Sequence, residues 1–278
     1  MSIGLVLALT SAVAYGAADF VGGVGSRRHS SWQVVLVGQT AGALVMLVAG
    51  TVAPGSPGIA DFAWALLAGT GSATGSIFLF RGLSRGRMGL VAPVSAVAAA
   101  ILPVVVGIAL GERPTWHIWI GVLIALPGIW LVSRETTARP GGSRAALLDG
   151  AIAGAGFGIL FIALAQVPAE AGLLPLAANQ LFGGLVTIAA ASALRQPWRP
   201  GRGVLTWGSA SGLLGALGTL TFMLATGAIQ LGVAAVLASL YPAVTVLLAA
   251  AILKERIDKW QRLGLAVCTV AVATLALS

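Results

Sequence analysis

The stretch Gly89-Leu90-Val91-Ala92-Pro93, which runs on to Ala109-Leu110-Gly111-Glu112-Arg113-Pro114-Thr115-Trp116, has a counterpart 143 residues later. That counterpart is Gly232-Val233-Ala234-Ala235-Val236 and Ile252-Leu253-Lys254-Glu255-Arg256-Ile257-Asp258-Lys259-Trp260. At this offset Gly89 falls on Gly232, Glu112 on Glu255, Arg113 on Arg256 and Gly121 on Gly264, without a gap. A nearly equal offset of 141 places Gln39 on Gln180 and Gly42 on Gly183. The chain is written twice, and each copy carries an apolar run that ends in a Glu-Arg pair.

Those apolar runs decide the class. Of 278 residues, 58% are hydrophobic and 9% are charged, with a mean hydropathy of +0.98. Ordinary soluble domains carry about 25% charged residues, so a water-soluble fold is excluded. A membrane-spanning helix needs about 20 mostly apolar residues. Ten stretches read as spans: 3–25, 32–51, 62–82, 89–111, 116–133, 150–167, 173–194, 204–227, 233–253 and 261–277. Turn chemistry separates them at Pro54-Gly55-Ser56-Pro57-Gly58, Arg139-Pro140-Gly141-Gly142 and Arg199-Pro200-Gly201. Gly203 to Leu253 is charge-free and about twice one span, so it is divided near Gln230-Leu231-Gly232. Transmembrane β-barrels need alternating segments of about ten residues, which these continuous runs are not. The expected fold is an all-α integral membrane protein of ten transmembrane helices. Residues 1–138 form one five-helix repeat and residues 139–278 the other.

Charge gives an orientation. Arg27, Arg28, Arg81, Arg85, Arg87, Arg134, Arg139, Arg144, Arg195, Arg199, Arg202, Lys254, Arg256, Lys259 and Arg262 all fall in odd-numbered connections; Arg113 alone falls in an even one. Short-loop Lys/Arg bias marks the cytoplasmic side, so both termini are expected outside a bacterial inner membrane. The first span has no positive leader region and is followed by Arg27-Arg28, which argues against a cleaved signal. Five spans per copy is odd, so the copies are expected to insert in opposite orientations. Inverted repeats are a common build for secondary transporters, with the substrate site near the midplane between them.

Three segments carry a family resemblance: Tyr15-Gly16-Ala17-Ala18-Asp19-Phe20-Val21-Gly22-Gly23 in the first span, and the Gly111-Glu112-Arg113-Pro114 and Lys254-Glu255-Arg256 junctions that open each last span. With ten spans in two copies, the chain resembles the drug/metabolite transporter superfamily in its EamA-type branch, over essentially its whole length. The resemblance implies a secondary transporter that exports small metabolites, amino acids or drugs, often driven by protons. Many members of that family keep the N-terminus in the cytoplasm, whereas the charge bias here places it outside.

Candidate site residues follow from polarity inside the spans. Asp61, Asp149 and Asp258 read as helix-start carboxylates, as do Glu112 and Glu255, where a negative charge complements the macrodipole; Glu135 and Glu170 sit in connections. Asp19 is the acid left inside a span, and an intramembrane carboxylate marks a functional site. Two readings of it stand: a proton-coupling or cationic-substrate site, and a structural pair with Arg81. Gln39 and Gln180 are repeat-related amides, with Asn179 beside the second; Tyr15, Ser95 and Tyr241 add hydroxyls and rings. Pro93 and Pro103 in the fourth span and Pro242 in the ninth are expected to break their helices, with Pro103 and Pro242 as hinges.

No cofactor, metal or nucleotide site is read. The two histidines, His29 and His117, lie in different connections, there is one cysteine, and no phosphate-binding loop occurs. An enzyme is not expected, nor a nucleic-acid partner. The expected partners are a small-molecule substrate, protons as coupling ion, membrane lipid, and a second copy of the chain against the fifth and tenth spans. The alternative reading is a flippase for lipid headgroups or lipid-linked sugars on the same scaffold, which would need a lateral opening between helices and a basic group facing the cavity.

Overall fold

The structure, a computed structural model, describes residues 2–84, 88–133 and 143–276, with the backbone alone for 83–84, 88–90 and 143. Arg85, Arg87, Arg134, Glu135, Arg139 and the Pro140-Gly141-Gly142 turn lie outside the described residues.

Among the described residues eleven α-helices follow one another: α1 Ile3–Arg28, α2 Ser31–Val52, α3 Ile59–Ser84, α4 Met88–Ala109, α5 Trp116–Ser133, α6 Ser143–Leu164, α7 Leu174–Ala193, α8 Arg202–Thr226, α9 Leu231–Ala238, α10 Tyr241–Ile252 and α11 Lys259–Ala276. No strand occurs among the described residues. In lipid every backbone polar group must be satisfied within the segment, which leaves helices as the outcome for such apolar runs. Among the described residues nine runs are long and apolar enough to cross a membrane, with Leu231–Ile252 (α9 and α10 together) taken as one. The protein is a multi-pass membrane protein.

Local chemistry sets the ends. Ser2 Oγ accepts from the Leu5 N–H at the start of α1, and Arg27 and Arg28 occupy its last turn, where cations suit the dipole. Asp258 Oδ1 accepts from Trp260 and Gln261 N–H while Gln261 Oε1 accepts from Asp258 N–H, a reciprocal capping box that opens α11. Asp61 accepts from Gly58 N–H at 2.8 Å before α3.

Two expectations are corrected. The sixth helix starts at Ser143 rather than 150, so Asp149 is not a helix-start carboxylate; it lies almost two turns inside α6 and is 3% exposed. α4 runs unbroken through Pro93 and Pro103, because fully buried Ala96, Ala99 and Ala100 hold it against its neighbours while two carbonyls lose their partners. The expected break at Pro242 does occur. Ser239 and Leu240 separate α9 from α10, and Pro242 sits in the first turn of α10, where no N–H is needed.

Small residues bring the helices together. α1 packs on α8 and α3 on α6, α2 and α3 both meet α7, and α5 lies along α11. A Cβ on Gly212 would meet the Gly38 carbonyl, so α8 and α2 touch backbone to backbone. Several contacts are reciprocal. Gly121 of α5 lies against Leu275 of α11, and Gly264 of α11 against Val132 of α5. Gln39 covers Gly183 while Gln180 covers Gly42, and Tyr15 covers Gly218 while Phe157 covers Gly75. In each of the first two sets an early residue of one helix meets a later residue of its partner, so α5 crosses α11, and α2 crosses α7, with opposite chain directions.

Candidate functional site

The helices leave a cavity between α1, α2, α3, α6, α7 and α8. Tyr15, Asp19, Gln39 and Gln180 line it with Ser72, Ser76, Ser211 and Thr219, and with the rings of Phe80 and Phe157. Its volume is about 70 Å³, enough to admit water.

Its walls are tied together across helices. Tyr15 Oη and Thr219 Oγ1 share a hydrogen bond at 3.1 Å, and Gln39 Nε2 donates to Ser72 Oγ at 3.0 Å. Three hydroxyl bonds staple α1: Ser11 Oγ donates to the Gly218 carbonyl, Ser211 Oγ to the Ala18 carbonyl and Thr245 Oγ1 to the Gly16 carbonyl. Such bonds satisfy hydroxyls that lipid could not. Other threonines bond only their own helix, as Thr221 does to Leu217 and Thr226 to Met223.

Asp19 stands between two spaces. Besides the central cavity it lines a crevice of about 30 Å³ between α1 and α10, with Gly23, Arg27, Thr245, Leu253 and Glu255. At the far end of that crevice Arg27 and Glu255 approach to 3.9 Å, both about half exposed. Asp19 has no hydrogen bond or ion pair among the described residues. A charge in so apolar a setting is costly unless something pairs with it, so this carboxyl is suited to taking up a proton or a cationic ligand.

The expected pairing of Asp19 with Arg81 is not what forms. Arg81 of α3 pairs with Asp149 of α6, and its guanidinium lies 4.3 Å from the centre of the Phe78 ring. Arg81 does not line the cavity. The reason is the earlier start of α6, which carries Asp149 onto the face that packs on α3.

The remaining candidates lie in the surrounding core, outside the cavity lining. Ser95 on α4 is fully buried, with its backbone against Gly154 of α6. Tyr241, at the start of α10, is 4% exposed and meets the Phe157 ring edge-on, with centroids 6.3 Å apart. Asn179 is 1% exposed, its main chain presses on Gly69 of α3, and its amide has no hydrogen-bond partner among the described residues.

Sequence reasoning missed Phe80, Ser211 and Gly215 as lining, and the small-residue spacing of α8 was the available signal for the last. It also missed the partner of Glu112. The Glu112 carboxylate accepts from the Leu231 N–H at 2.5 Å and the Gly232 N–H at 3.2 Å. It caps a helix, as expected, but that helix is α9 and not α5.

A family model described as the EamA-like transporter family matches residues 2–134 and again residues 144–277. No curated protein matches the chain. A solved structure, described only as the crystal structure of a protein, is 17% identical, with 99% of each chain covered and a TM-score of 0.78. That likeness extends the fold to a distant chain.

Proposed function

The chain belongs to the EamA-like transporter family, and from that premise we propose that it is a proton-coupled secondary transporter which exports a small polar or amphiphilic metabolite by alternating access. Ten spans, with α9 and α10 together as the ninth and α11 as the tenth, form two inverted repeats over residues 1–138 and 139–278. The reciprocal, oppositely directed contacts of α5 with α11 and of α2 with α7 support that arrangement. The charge count supports termini outside a bacterial inner membrane.

The observation that carries the proposal is Asp19. It is an acid without a partner among the described residues, in a cavity whose other polar groups are amides and hydroxyls. A carrier that must hold either a proton or its cargo needs one group that changes charge, placed where both can reach it. Gln39, Gln180 and Tyr15 would orient the polar part of the cargo, and Phe80 and Phe157 its apolar part. Pro242 supplies the bend on one side of the pseudo-twofold; on the other, Pro103 acts as a flexing point inside an intact α4. α5 and α11 close each repeat and present their outer faces to lipid and to a second copy.

The flippase reading needs a basic group on the cavity, and Arg81 is engaged with Asp149 instead. The test is a thermal-stability screen of the purified protein in detergent with amino acids, polyamines, quaternary amines, nucleosides and sugar phosphates. A bound ligand raises the apparent midpoint by mass action. A stabilising compound whose effect disappears in Asp19→Asn supports the proposal; stabilisation by lipid-linked sugars alone would replace it.

A further inference from the structure

α9 is a half-helix of eight residues, from Leu231 to Ala238, set off from α10 by Ser239 and Leu240. Its first N–H groups have no partner within the helix. They are bound instead by a carboxylate from the other repeat, with Glu112 Oε1 on Leu231 N–H and Oε2 on Gly232 N–H. The backbone prepares this reach. α4 ends in a left-handed residue, Gly111 at φ 101°, and Glu112 N–H donates back to the Gly107 carbonyl at 2.9 Å. A Cβ on Gly107 would collide with the Glu112 carboxylate, so the cradle exists because position 107 is glycine.

The repeat-related site is built differently. Lys254 takes the place of Gly111 and keeps the left-handed turn at φ 57°, but Ala250 stands where Gly107 would be. Its glutamate, Glu255, turns to Arg27 in an exposed pair of the kind that contributes little. The two glutamates lie at opposite ends of α1: Gly4 at its start touches Ile229, just before α9, and Arg27 at its end meets Glu255. Along α1 the step from Gly4 to Arg27 is about 35 Å.

We propose that Glu112 is a latch that holds α9 closed at the Gly4 end of α1, between that end and the cavity lined by Tyr15 and Asp19. Releasing it lets α9 swing about Ser239-Leu240 and opens that end. The weaker Glu255–Arg27 pair leaves the opposite end easier to open. This rests on the alternating-access reading above and assigns Glu112 as a positioning residue that touches no cargo.

The experiment places a cysteine at Val233, which lies beside Glu112 in the first turn of α9 and is 5% exposed. Labelling with a membrane-impermeant maleimide is followed in nanodiscs without cargo. The native Cys268, buried in α11, serves as an internal report on folding. Glu112→Gln weakens the charge-assisted bonds, and Gly107→Ala dislodges the carboxylate without changing charge. Each should speed labelling at position 233 about tenfold, the change expected from losing one such bond, with Cys268 still protected. Unchanged labelling in both variants overturns the proposal. So does exposure of Cys268 in both, which would make Glu112 a fold-holding group and no gate. Should one variant expose Cys268, the other decides. A wild-type protein that moves no cargo would remove the transport reading and leave this labelling contrast intact.

Discussion

Arg81 and Asp149 form an ion pair between α3 and α6, with the carboxylate almost wholly buried and about a quarter of the guanidinium side chain exposed. The pair also bears on a third residue. With Arg81 committed to Asp149, the intramembrane Asp19 is left to face the cavity.

Breaking that pair by removing one member should be costly, because the other is left charged in the apolar interior. Asp149→Asn is expected to lower stability by about 2–4 kcal/mol, below the full buried-pair cost because Arg81 is partly solvated. The double substitution Arg81→Met with Asp149→Leu should recover most of the loss. Thermal unfolding of the singles and the double, compared as a cycle, checks this; a double as unstable as the worse single would contradict it.

Gly212 and Gly215 separate packing from cavity. A Cβ at Gly212 would meet the Gly38 carbonyl, so Gly212→Ala pushes α8 off α2 and should lower the thermal midpoint and the yield. A Cβ at Gly215 meets nothing within 4 Å and points into a space the cavity already occupies. Gly215→Leu should therefore leave the midpoint nearly unchanged while slowing uptake of cargo into proteoliposomes.

The capping box at α11 is a stability device remote from the cavity. Asp258→Ala removes the acceptor for Trp260 and Gln261 N–H and should cost about 1 kcal/mol. Transport per folded molecule should stay at the wild-type rate, which a parallel measurement of midpoint and uptake will show.

Tyr15 and Thr219 share a hydrogen bond across α1 and α8 on the cavity wall. Tyr15→Phe keeps the ring over Gly218 and should cost about 1 kcal/mol of stability. Its larger effect should appear as a raised KM for cargo; a variant with wild-type KM would remove Tyr15 from the binding surface.

What the sequence made legible was whatever depends on neighbours along the chain. Apolar runs, the Gln230-Leu231-Gly232 interruption, the Pro242 break and the Asp258 cap are all local, and each appears in the structure. The amides Gln39 and Gln180 were legible through the repeat, and both reach the cavity. The partners of Glu112 and Asp149 were not legible, because each pairs with a helix 119 or 68 residues away, which no local pattern encodes. Asp149 was misread for a further reason. A charge near a span boundary looks like an end, and only the tertiary pairing with Arg81 lets α6 carry it inside the helix.

The most direct test of the central claim is cargo accumulation in proteoliposomes under an imposed pH gradient. The probe is the compound that most stabilises the purified protein, and wild type is compared with Asp19→Asn. The account predicts that wild type concentrates the probe against its gradient, whereas Asp19→Asn at most equilibrates it. Equal, pH-driven accumulation by the two proteins would contradict it.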